Sequence, residues 1–289
     1  MDQTTAKKLC TLNTRFYAAN AASFSRTRTA PWDGWRRCLN ACGFAPEGTG
    51  ETAVSSTAPE CSFVVSSQQD RSRHIASVLD IACGNLRFET FLDSEYPAID
   101  WRFFAVDNCE PLVDSSDAAI AENVNFTCED IITNMFEGLP AIEPANKPAF
   151  AGSFPFDLVV TFGFMHHIPG FDLRVRFLKE ALSYVKPGGH LAVSFWQFLN
   201  DETRREKAQR THAEALDHLV LRPEDLEVGD YLLGWKNLPG QYRYCHHFSD
   251  AEIDRISVEL APHANAVASF VADGKTGNLN RYVVFRRSS

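Results

Sequence analysis

The sequence predicts an α/β fold, with a mainly parallel seven-stranded sheet, helices on both of its faces, and an antiparallel hairpin at the C-terminus. Three observations support this. From His74 onward, apolar β-rich runs alternate with helical patterns. The first run ends at Asp80, passes through a Cys-Gly-Asn turn and opens a helix. The last two runs flank a turn with Gly274 and Gly277. Such alternation indicates right-handed crossovers between parallel strands, and the final glycine turn indicates a hairpin.

The predicted strands are short and strongly apolar, as expected for strands that are buried on both faces. They cover residues 74–81, 101–106, 124–128, 156–161, 190–196, 266–271 and 281–286. Between them the pattern changes to helical spacing, and helices are predicted over residues 86–92, 111–122, 172–185 and 201–219, with a further helix from about residue 249.

The chain of 289 residues can form one large core with an appendage. Residues 1–44 carry apolar side chains at helical spacing and are predicted to form a helical lid or substrate segment. Residues 45–70 are rich in Gly, Ser, Thr, Pro and Glu, which predicts a flexible linker. Residues 71–289 form the predicted main domain, with an insertion at 197–244 in which residues 222–243 are expected to be irregular.

The composition is that of an ordinary soluble globular protein, with 45% hydrophobic and 22% charged residues. No apolar run reaches the roughly 20 residues that span a bilayer, and the polar N-terminus does not resemble a signal peptide. None of the eight cysteines forms a CxxC pair. We therefore expect no membrane contact, no disulfide framework and no metal site, and a reduced cytoplasmic location.

The net charge of −9 disfavours nucleic acid as a partner of the whole molecule. The charge is unevenly distributed, however, because residues 1–39 contain seven basic and two acidic side chains. A local basic patch can bind phosphates on an acidic protein, but a solvated helical face explains the same pattern equally well.

The acid at the tip of the first strand restricts the ligand. Small cofactors bind at the carboxyl edge of an α/β sheet, where a helix N-terminus exposes unpaired N–H groups. A carboxylate such as Asp80 suits an ammonium or a hydroxyl-rich ligand better than a pyrophosphate, which it would repel. A nicotinamide-dependent dehydrogenase is the alternative on pattern alone, but the chain has no G-x-G-x-x-G motif.

Four segments in order carry a resemblance to a known family. They are Val-Leu-Asp-Ile-Ala-Cys-Gly-Asn (78–85), Phe-Phe-Ala-Val-Asp (103–107), Phe-Asp-Leu-Val-Val-Thr-Phe (156–162) and Lys-Pro-Gly-Gly-His-Leu (186–191). Over residues 75–287 the chain resembles the class I S-adenosylmethionine (SAM) methyltransferases. The resemblance implies a Rossmann-like methyltransferase fold, SAM as cofactor, and transfer of its methyl group.

The resemblance also assigns roles at the cofactor site. Asp80 would lie near the ammonium of the cofactor, Asp107 would accept hydrogen bonds from the ribose hydroxyls, and Asp130 would accept one from the adenine amino group. The remaining cofactor-binding residues implied by the resemblance are Ala82, Cys83, Gly84, Asn85, Asn108, Ile131, Phe162 and Gly163.

Two residues depart from the family pattern in the loop after the first strand. Family members usually carry glycine at the positions of Ala82 and often of Leu86. A side chain there would be strained if the backbone needed a positive φ. The departure leaves open a SAM-binding or partner-binding module without turnover.

A second resemblance concerns the methyl acceptor. Three parts of the chain resemble segments of the methyltransferases that esterify 5-carboxymethyluridine at the tRNA wobble position. They are Phe24-Ser25-Arg26-Thr27-Arg28 with Pro31-Trp32, Met165-His166-His167-Ile168, and Tyr242-Arg243-Tyr244-Cys245-His246-His247-Phe248. Cys245 departs from that pattern, which has tyrosine there. The resemblance implies tRNA as the acceptor and a small activating subunit as a partner. A small-molecule O- or N-methyltransferase is the alternative.

The candidate catalytic residues follow from the chemistry of a carboxylate acceptor. With a pKa near ~4, such an acceptor is ionised at neutral pH and needs positioning rather than a general base. Arginine forks and histidine or tyrosine donors provide that positioning. We therefore select Arg28, Arg243 and Tyr244, assisted by His166 or His167. Because the two histidines are adjacent, we expect their side chains to point in different directions.

Overall fold

The computed structural model describes residues 1–45, 74–114, 116–142, 154–236 and 238–288. Within these residues no helix is both long and apolar enough to cross a membrane. The strands are β1 (His74–Ile81), β2 (Ile99–Asp107), β3 (Val124–Cys128), β4 (Phe156–Thr161), β5 (Val185–Trp196), β6 (Asp230–Gly234), β7 (Tyr242–His246), β8 (Ala264–Ala272) and β9 (Asn280–Arg287). The α-helices are α1 (Gln3–Ser25), α2 (Asp33–Ala41), α3 (Arg87–Glu95), α4 (Glu110–Val113), α5 (Ala118–Ala121), α6 (Ile131–Phe136), α7 (Phe171–Ser183), α8 (Glu202–Leu219) and α9 (Asp250–Leu260).

Seven strands form one sheet in the order β3-β2-β1-β4-β5-β9-β8. The neighbours from β3 to β5 are parallel, whereas β9 runs antiparallel to both β5 and β8. This confirms the predicted mainly parallel sheet with a C-terminal antiparallel hairpin. Because β1, β2 and β4 are parallel neighbours, Asp80, Asp107 and Thr161 lie at the same edge of the sheet.

Helices cover both faces of the sheet and bury two apolar layers. On one face, Phe177 of α7 and Ile253 of α9 pack in the same cluster as Leu79 of β1. On the other face, Trp35 of α2 and Phe88 of α3 pack with strand residues that include Val78, Val160 and Val284. Alternate residues of one strand therefore pack into the apolar layers on opposite faces of the sheet. This explains why the strand sequences are apolar almost throughout.

The N-terminal segment places two helices beside the sheet. Asp2 caps α1, since its carboxylate accepts hydrogen bonds from the backbone N–H groups of Thr4 and Thr5. The helix then packs against β7, α4 and α6. Trp35 of α2 is only 2% exposed, so this helix is part of the main core.

The insertion contains a β-hairpin that corrects the prediction of an irregular segment at 222–243. Strands β6 and β7 pair antiparallel, with Asp230 opposite His246. Asp230, the first residue of β6, is buried and belongs to an ion-pair network. His246 contacts Asp230 at 2.7 Å and Glu252 at 2.8 Å, and Arg174 contacts Glu252 at 2.7 Å. Because Asp230 and His246 pair with each other and with charges on other elements, they can be buried in strands. Local composition cannot reveal such pairing.

Several element boundaries also differ from the prediction. The helix predicted over 111–122 is two short helices, α4 and α5. The helix predicted over 172–185 ends at Ser183, and β5 begins at Val185 instead of residue 190, because the Pro-Gly-Gly turn is accommodated by a register irregularity against β4. Helix α6 follows Asp130 where no helix was predicted. The predicted linker lies outside the described residues, apart from Ala45.

Candidate active site

The loop after β1 bends tightly and is fastened to β2. The backbone N–H groups of Ala82 and Cys83 both donate to the carbonyl of Val106, at 2.7 and 3.1 Å. The φ angles are +67° at Ala82, +59° at Gly84 and +53° at Leu86. The two family glycines that this chain lacks therefore lie at left-handed positions, where a side chain is strained. Leu86 offsets part of this strain by burying its side chain completely.

Asp107, the last residue of β2, connects this loop to the next one. Its Oδ2 accepts a hydrogen bond from the N–H of Gly84 at 2.9 Å, and its Oδ1 accepts one from the N–H of Cys109 at 2.9 Å. Burial raises the pKa of this carboxyl group to about 6, although the two N–H donors oppose the rise. Each oxygen keeps a second lone pair, so the carboxylate can still accept from a vicinal diol.

Asp80 lies at the tip of β1 and is 3% exposed. Its Oδ1 is buried and has no hydrogen-bond donor among the described residues. Burial raises the pKa of Asp80 well above its ordinary value, and the nearby Glu89 and Asp107 add to the rise. A buried carboxyl oxygen without a donor is suited to a cationic ligand that brings its own N–H groups.

Asp130 and Ile131 form the opposite end of this edge. Asp130 caps α6, with Oδ1 accepting from the N–H of Thr133 at 3.0 Å, and its Oδ2 lies 3.3 Å from the Asn108 side-chain amide. Ile131 is 4% exposed and presents an apolar surface beside this carboxylate. A hydrogen-bond acceptor beside an apolar surface is suited to bind an adenine ring.

The tip of β4 requires glycine at position 163. Gly163 has φ +76°, and a Cβ at this position would lie 3.1 Å from the ring of Trp32. Its N–H donates to the hydroxyl of Ser194 at 2.8 Å. Phe162 packs beside it with Trp35 and Phe88. The N-terminal segment therefore lies directly over the end of β4.

The N-terminal segment is also fastened to the loop after β1. The side-chain amide of Asn85 donates to the carbonyl of Arg28 at 3.1 Å, and the guanidinium of Arg87 donates to the carbonyl of Ala30 at 2.6 Å. The Arg87 guanidinium also lies over the ring of Trp32, 5.1 Å from its centroid. This cover limits the access of water to the sheet edge.

These elements enclose a cavity of about 510 Å³. Such a volume falls within the range of small-molecule sites. All of the cofactor-binding residues predicted from the sequence line it, as do four of the five predicted catalytic residues. The lining cofactor-site residues are Asp80, Ala82, Cys83, Gly84, Asn85, Asp107, Asn108, Asp130, Ile131, Phe162 and Gly163, and the lining catalytic candidates are Arg28, His166, His167 and Arg243.

Tyr244 lies outside this lining. Its side chain is fully buried, and its hydroxyl donates to the carboxylate of Asp230 at 2.7 Å. Strand β7 alternates its side chains between two sides, so Arg243 lines the cavity while Tyr244 points into the ion-pair network. The sequence motif placed both residues in one segment but could not show which one faces the cavity.

The two histidines do not diverge as expected. They lie in a 3₁₀ turn (Met165–His167), both line the cavity, and their ring centroids are 4.1 Å apart. Nδ1 of His167 lies 3.0 Å from the Asn13 amide nitrogen, and Nε2 lies 2.9 Å from the Tyr17 hydroxyl. Burial lowers the pKa of His167 to about 3 and that of His166 well below its usual value. Both rings are therefore neutral at physiological pH.

His166, His167 and Cys245 bring potential ligand atoms within 4.8 Å of one another. Both ring nitrogens of His167 already have hydrogen-bonding neighbours. The positive charge of Arg243 contributes to the lowered pKa of both histidines. The arrangement is therefore better suited to holding a polar substrate than to holding a cation.

Side chains of both charges line the cavity. The carboxyl groups of Asp80, Asp107 and Asp130 lie at or just after the ends of β1, β2 and β3, and the lining cations are Arg28, Arg87, Arg204 and Arg243. Burial, followed by repulsion from Arg243, lowers the pKa of the Arg28 guanidinium, and Arg204 adds to this effect. These cations therefore lie close enough to repel one another.

Several lining residues had no predicted role. Asn13 and Tyr17 come from α1, Arg204 comes from α8, and Asp273 and Asn280 come from the C-terminal hairpin. Asp273 accepts hydrogen bonds from the Asn280 amide at 2.8 Å and from the Tyr282 hydroxyl at 2.6 Å. Helical spacing places Asn13 and Tyr17 on one face, four residues apart, but the sequence does not show what that face contacts.

The residues present fit SAM. The orphaned oxygen of Asp80 suits its ammonium, and Asp107 has lone pairs free for ribose hydroxyls. A Cβ added at Gly84 would meet no atom within 4 Å, so the loop leaves room beside these acids. The left-handed angles at Ala82 and Leu86 are strained, yet they leave the loop open.

Comparisons with known proteins agree with this geometry. The family described as "Methyltransferase domain" matches residues 79–193. The complex of DhpI with SAM and HEP shares 14% identity and has a TM-score of 0.54, covering 96% of this chain and 97% of that chain. The 1,6-didemethyltoxoflavin-N1-methyltransferase of Burkholderia thailandensis shares 13% identity and has a TM-score of 0.54, covering 98% of this chain and 91% of that chain.

No curated protein sequence matches the chain, and the comparisons do not confirm the resemblance to the tRNA wobble-uridine enzymes. The low identity of the two structures limits what they show to the fold. The family match, the strand order and the acidic edge of the cavity agree with one another. Together they support a SAM-dependent methyltransferase with a Rossmann-like fold, in which residues 79–193 match the methyltransferase-domain family.

Proposed function

We propose that this enzyme methylates a carboxylate oxygen of a small anionic molecule. The observation that carries the proposal is the position of Arg243, a buried cation that lines the cavity. No salt bridge joins Arg243 to a carboxylate of the described residues, and the groups that act most strongly on it are Tyr17 and Cys245. A buried charge is costly unless it is paired, and a carboxylate ligand would supply the pair.

The surroundings of Arg243 hold its guanidinium in place for such a ligand. One terminal nitrogen donates to the Tyr17 hydroxyl at 2.9 Å, while Nε is buried and has no partner among the described residues. Aromatic rings surround the guanidinium, with centroids between 5.3 and 6.0 Å from Cζ; they belong to Phe16, Tyr17, Phe24, Trp196 and Trp235. A planar fork held in this way can bind a carboxylate through two parallel hydrogen bonds.

The proposed chemistry needs positioning more than proton transfer. SAM supplies an electrophilic methyl group on a sulfonium. A carboxylate acceptor is already ionised at neutral pH, so the low pKa values of His166 and His167 present no obstacle. The arginines orient the acceptor, the neutral histidines offer hydrogen bonds, and α1 with the segment after it excludes water. Alignment of the two reactants then supplies much of the rate enhancement.

A transfer assay tests the acceptor class. The purified protein is incubated with methyl-labelled SAM and with matched panels of carboxylic acids, their amides, amines and phenols. We expect label in the carboxylic acids as base-labile methyl esters. Label in amines or phenols would contradict the proposal. Tight SAM binding without transfer to any of these acceptors would indicate a non-catalytic binding module instead.

Two substitutions test the arginines. Arg243→Lys keeps the charge but loses the fork, and Arg28→Met removes the second cation. Each should reduce kcat/KM for the acceptor by about tenfold or more, which corresponds to the loss of roughly 1.4 kcal/mol or more of binding, while SAM affinity stays near wild type. Arg26→Met, at an exposed neighbouring position, is the matched control and should leave both quantities unchanged.

The carboxymethyl group of a tRNA wobble uridine is the alternative acceptor, because the same arginines could hold its carboxylate. The predicted basic patch, however, is largely engaged in contacts within the chain. Lys8 donates to the carbonyl of Leu219, Arg36 pairs with Glu95, and Arg37 donates to the carbonyl of Val271. Addition of tRNA to the transfer assay tests this alternative, for which transfer to RNA with steeply salt-dependent binding is expected.

A further inference from the structure

The buried carboxyl group of Glu89 lies behind the cofactor site. Glu89 is in the first turn of α3, and it is 1% exposed. Both of its side-chain oxygens are buried, and no described donor reaches them. The same is true of Oδ1 of Asp80. Two acidic side chains therefore lie at the cofactor edge without the donors that buried carboxylates require.

The carboxyl group of Glu89 is close enough to that of Asp80 to raise its pKa, after burial, which is the larger cause. Two carboxylate oxygens are both acceptors, so a hydrogen bond between them requires a proton. Two like charges on neighbouring buried groups oppose each other's ionisation. A proton shared between the two carboxyl groups would relieve this repulsion while no cation is near. Asp80 lines the cavity, whereas Glu89 does not.

The other charged groups near Asp80 and Glu89 do not remove the need for a proton on one of the two carboxyl groups. Asp107 on β2 and Cys83 in the loop after β1 lie on the acidic side, and Asp107 raises the pKa of Asp80 further. Arg87 on α3 lowers the pKa of Asp80, but its contribution is smaller than those of burial, Glu89 and Asp107. Arg87 also donates to the carbonyl of Ala30.

We propose that Glu89 is a positioning residue that shares a proton with Asp80, and that the pair releases this proton when the ammonium of SAM binds against Asp80. The arriving cation stabilises the second negative charge, so the proton passes to the buffer. Cofactor binding is therefore coupled to pH. The proposal rests on SAM as the cofactor and is independent of the acceptor class.

The direction of the effect follows from linkage. Burial raises the pKa of Glu89 to about 8, so the pair holds its proton at pH 7 when the cofactor is absent. If binding releases one proton, SAM affinity rises by about tenfold per pH unit below that pKa. The amino group of the cofactor, with a pKa near 8, is about nine-tenths protonated at pH 7 and contributes little there.

Calorimetry measures the proton directly. SAM is titrated into the wild-type protein at pH 7.0 in phosphate and in Tris, whose ionisation enthalpies differ. The difference in observed enthalpy gives the number of protons released, which we expect to be about one. 5′-Methylthioadenosine, which lacks the ammonium, should release none. No proton release with SAM, or equal release with both ligands, would overturn the proposal.

A variant identifies the residue responsible. Glu89→Gln keeps the shape and donates a hydrogen bond to Asp80, so the variant should bind SAM with proton release near zero and with little pH dependence. Asp93→Asn, on the exposed face of the same helix, should behave like wild type. Unchanged proton release in Glu89→Gln would reject the role of Glu89. If this variant does not fold, the wild-type affinity for SAM at pH 6.0 and pH 7.0 decides, because the coupling predicts a rise of nearly tenfold and an unchanged affinity contradicts it.

Discussion

The Tyr17 hydroxyl accepts a hydrogen bond from the guanidinium of Arg243 at 2.9 Å and lies 2.9 Å from Nε2 of His167. Tyr17 belongs to α1, and Arg243 belongs to β7 of the insertion. One hydroxyl thus joins two segments that are more than 200 residues apart in sequence. The N-terminal helix and the insertion together form the wall of the cavity around Arg243.

Tyr17→Phe tests this connection. The variant loses the hydrogen bonds to Arg243 and His167 but keeps the ring, so Arg243 loses orientation. We expect the KM of the acceptor to rise about tenfold and the free energy of unfolding to fall by about 1–2 kcal/mol, with SAM affinity unchanged. Steady-state kinetics, urea unfolding and calorimetry measure these three quantities. Tyr231→Phe is the matched control in β6, and an equal loss in that variant would show that the effect is not specific to Tyr17.

Ala82→Gly tests the strained loop. Ala82 has φ +67°, where an L side chain is disfavoured by about 1–2 kcal/mol, and glycine removes that penalty at some cost in entropy. The variant should therefore unfold at a Tm equal to or a few degrees above wild type, with a gain of up to about 1 kcal/mol. Thermal unfolding measures the gain. A clear loss of stability would mean that the methyl group of Ala82 contributes packing that outweighs the strain.

The stability of the cofactor-free protein should fall as pH rises. The folded protein binds more protons than the unfolded chain wherever a carboxyl pKa is raised, as for Glu89, about 8, and Asp107, about 6. The free energy of unfolding therefore decreases between about pH 5 and pH 8. We expect a loss of at least about 1 kcal/mol, which is about 2–4 °C in Tm.

Thermal unfolding across this pH range measures the effect, and SAM should restore the stability. Glu89→Gln isolates the contribution of one carboxyl group from the general repulsion of a chain with net charge −9. Its Tm should depend less on pH than that of wild type. An identical pH profile for the two proteins would contradict the prediction.

The ion-pair network behind β7 should be sensitive to the removal of one member. Arg174 is 1% exposed and contacts Glu252 at 2.7 Å. Arg174→Met leaves the buried Asp230 and Glu252 with less positive charge, and we expect a loss of about 3–5 kcal/mol in the free energy of unfolding.

Urea unfolding measures this loss. Lys179→Met, on an exposed position of the same helix, is the control; its pair with Glu259 at 3.5 Å is a surface contact worth about 1 kcal/mol or less. Adding Glu252→Gln to Arg174→Met should recover part of the stability, because it removes one of the uncompensated charges. Equal losses in the two single variants would contradict a special role of the buried pair.

The sequence predicted the sheet and most of the cofactor end of the site. Strands such as Val78–Leu79 are apolar because each residue serves one of two cores, and Asp80 and Asp107 stand where those runs end. Such features are local, so composition and spacing reveal them. Composition and spacing do not show the left-handed φ at Ala82 and Leu86, because both residues ordinarily avoid it; only the family pattern, with glycine at these positions, pointed to it.

By itself, the sequence determined the strand-and-helix alternation and the acids at the strand tips, and its resemblance to the class I methyltransferases indicated the cofactor. Only the tertiary structure decided that Arg243 lines the cavity while its neighbour Tyr244 does not, and that Tyr17 hydrogen-bonds to Arg243. It also decided that the carboxyl group of Glu89 is buried near that of Asp80. These relationships depend on which face of each element meets another element. Periodicity determines which residues share one face of a helix or strand. What that face contacts depends on how elements distant in sequence pack together.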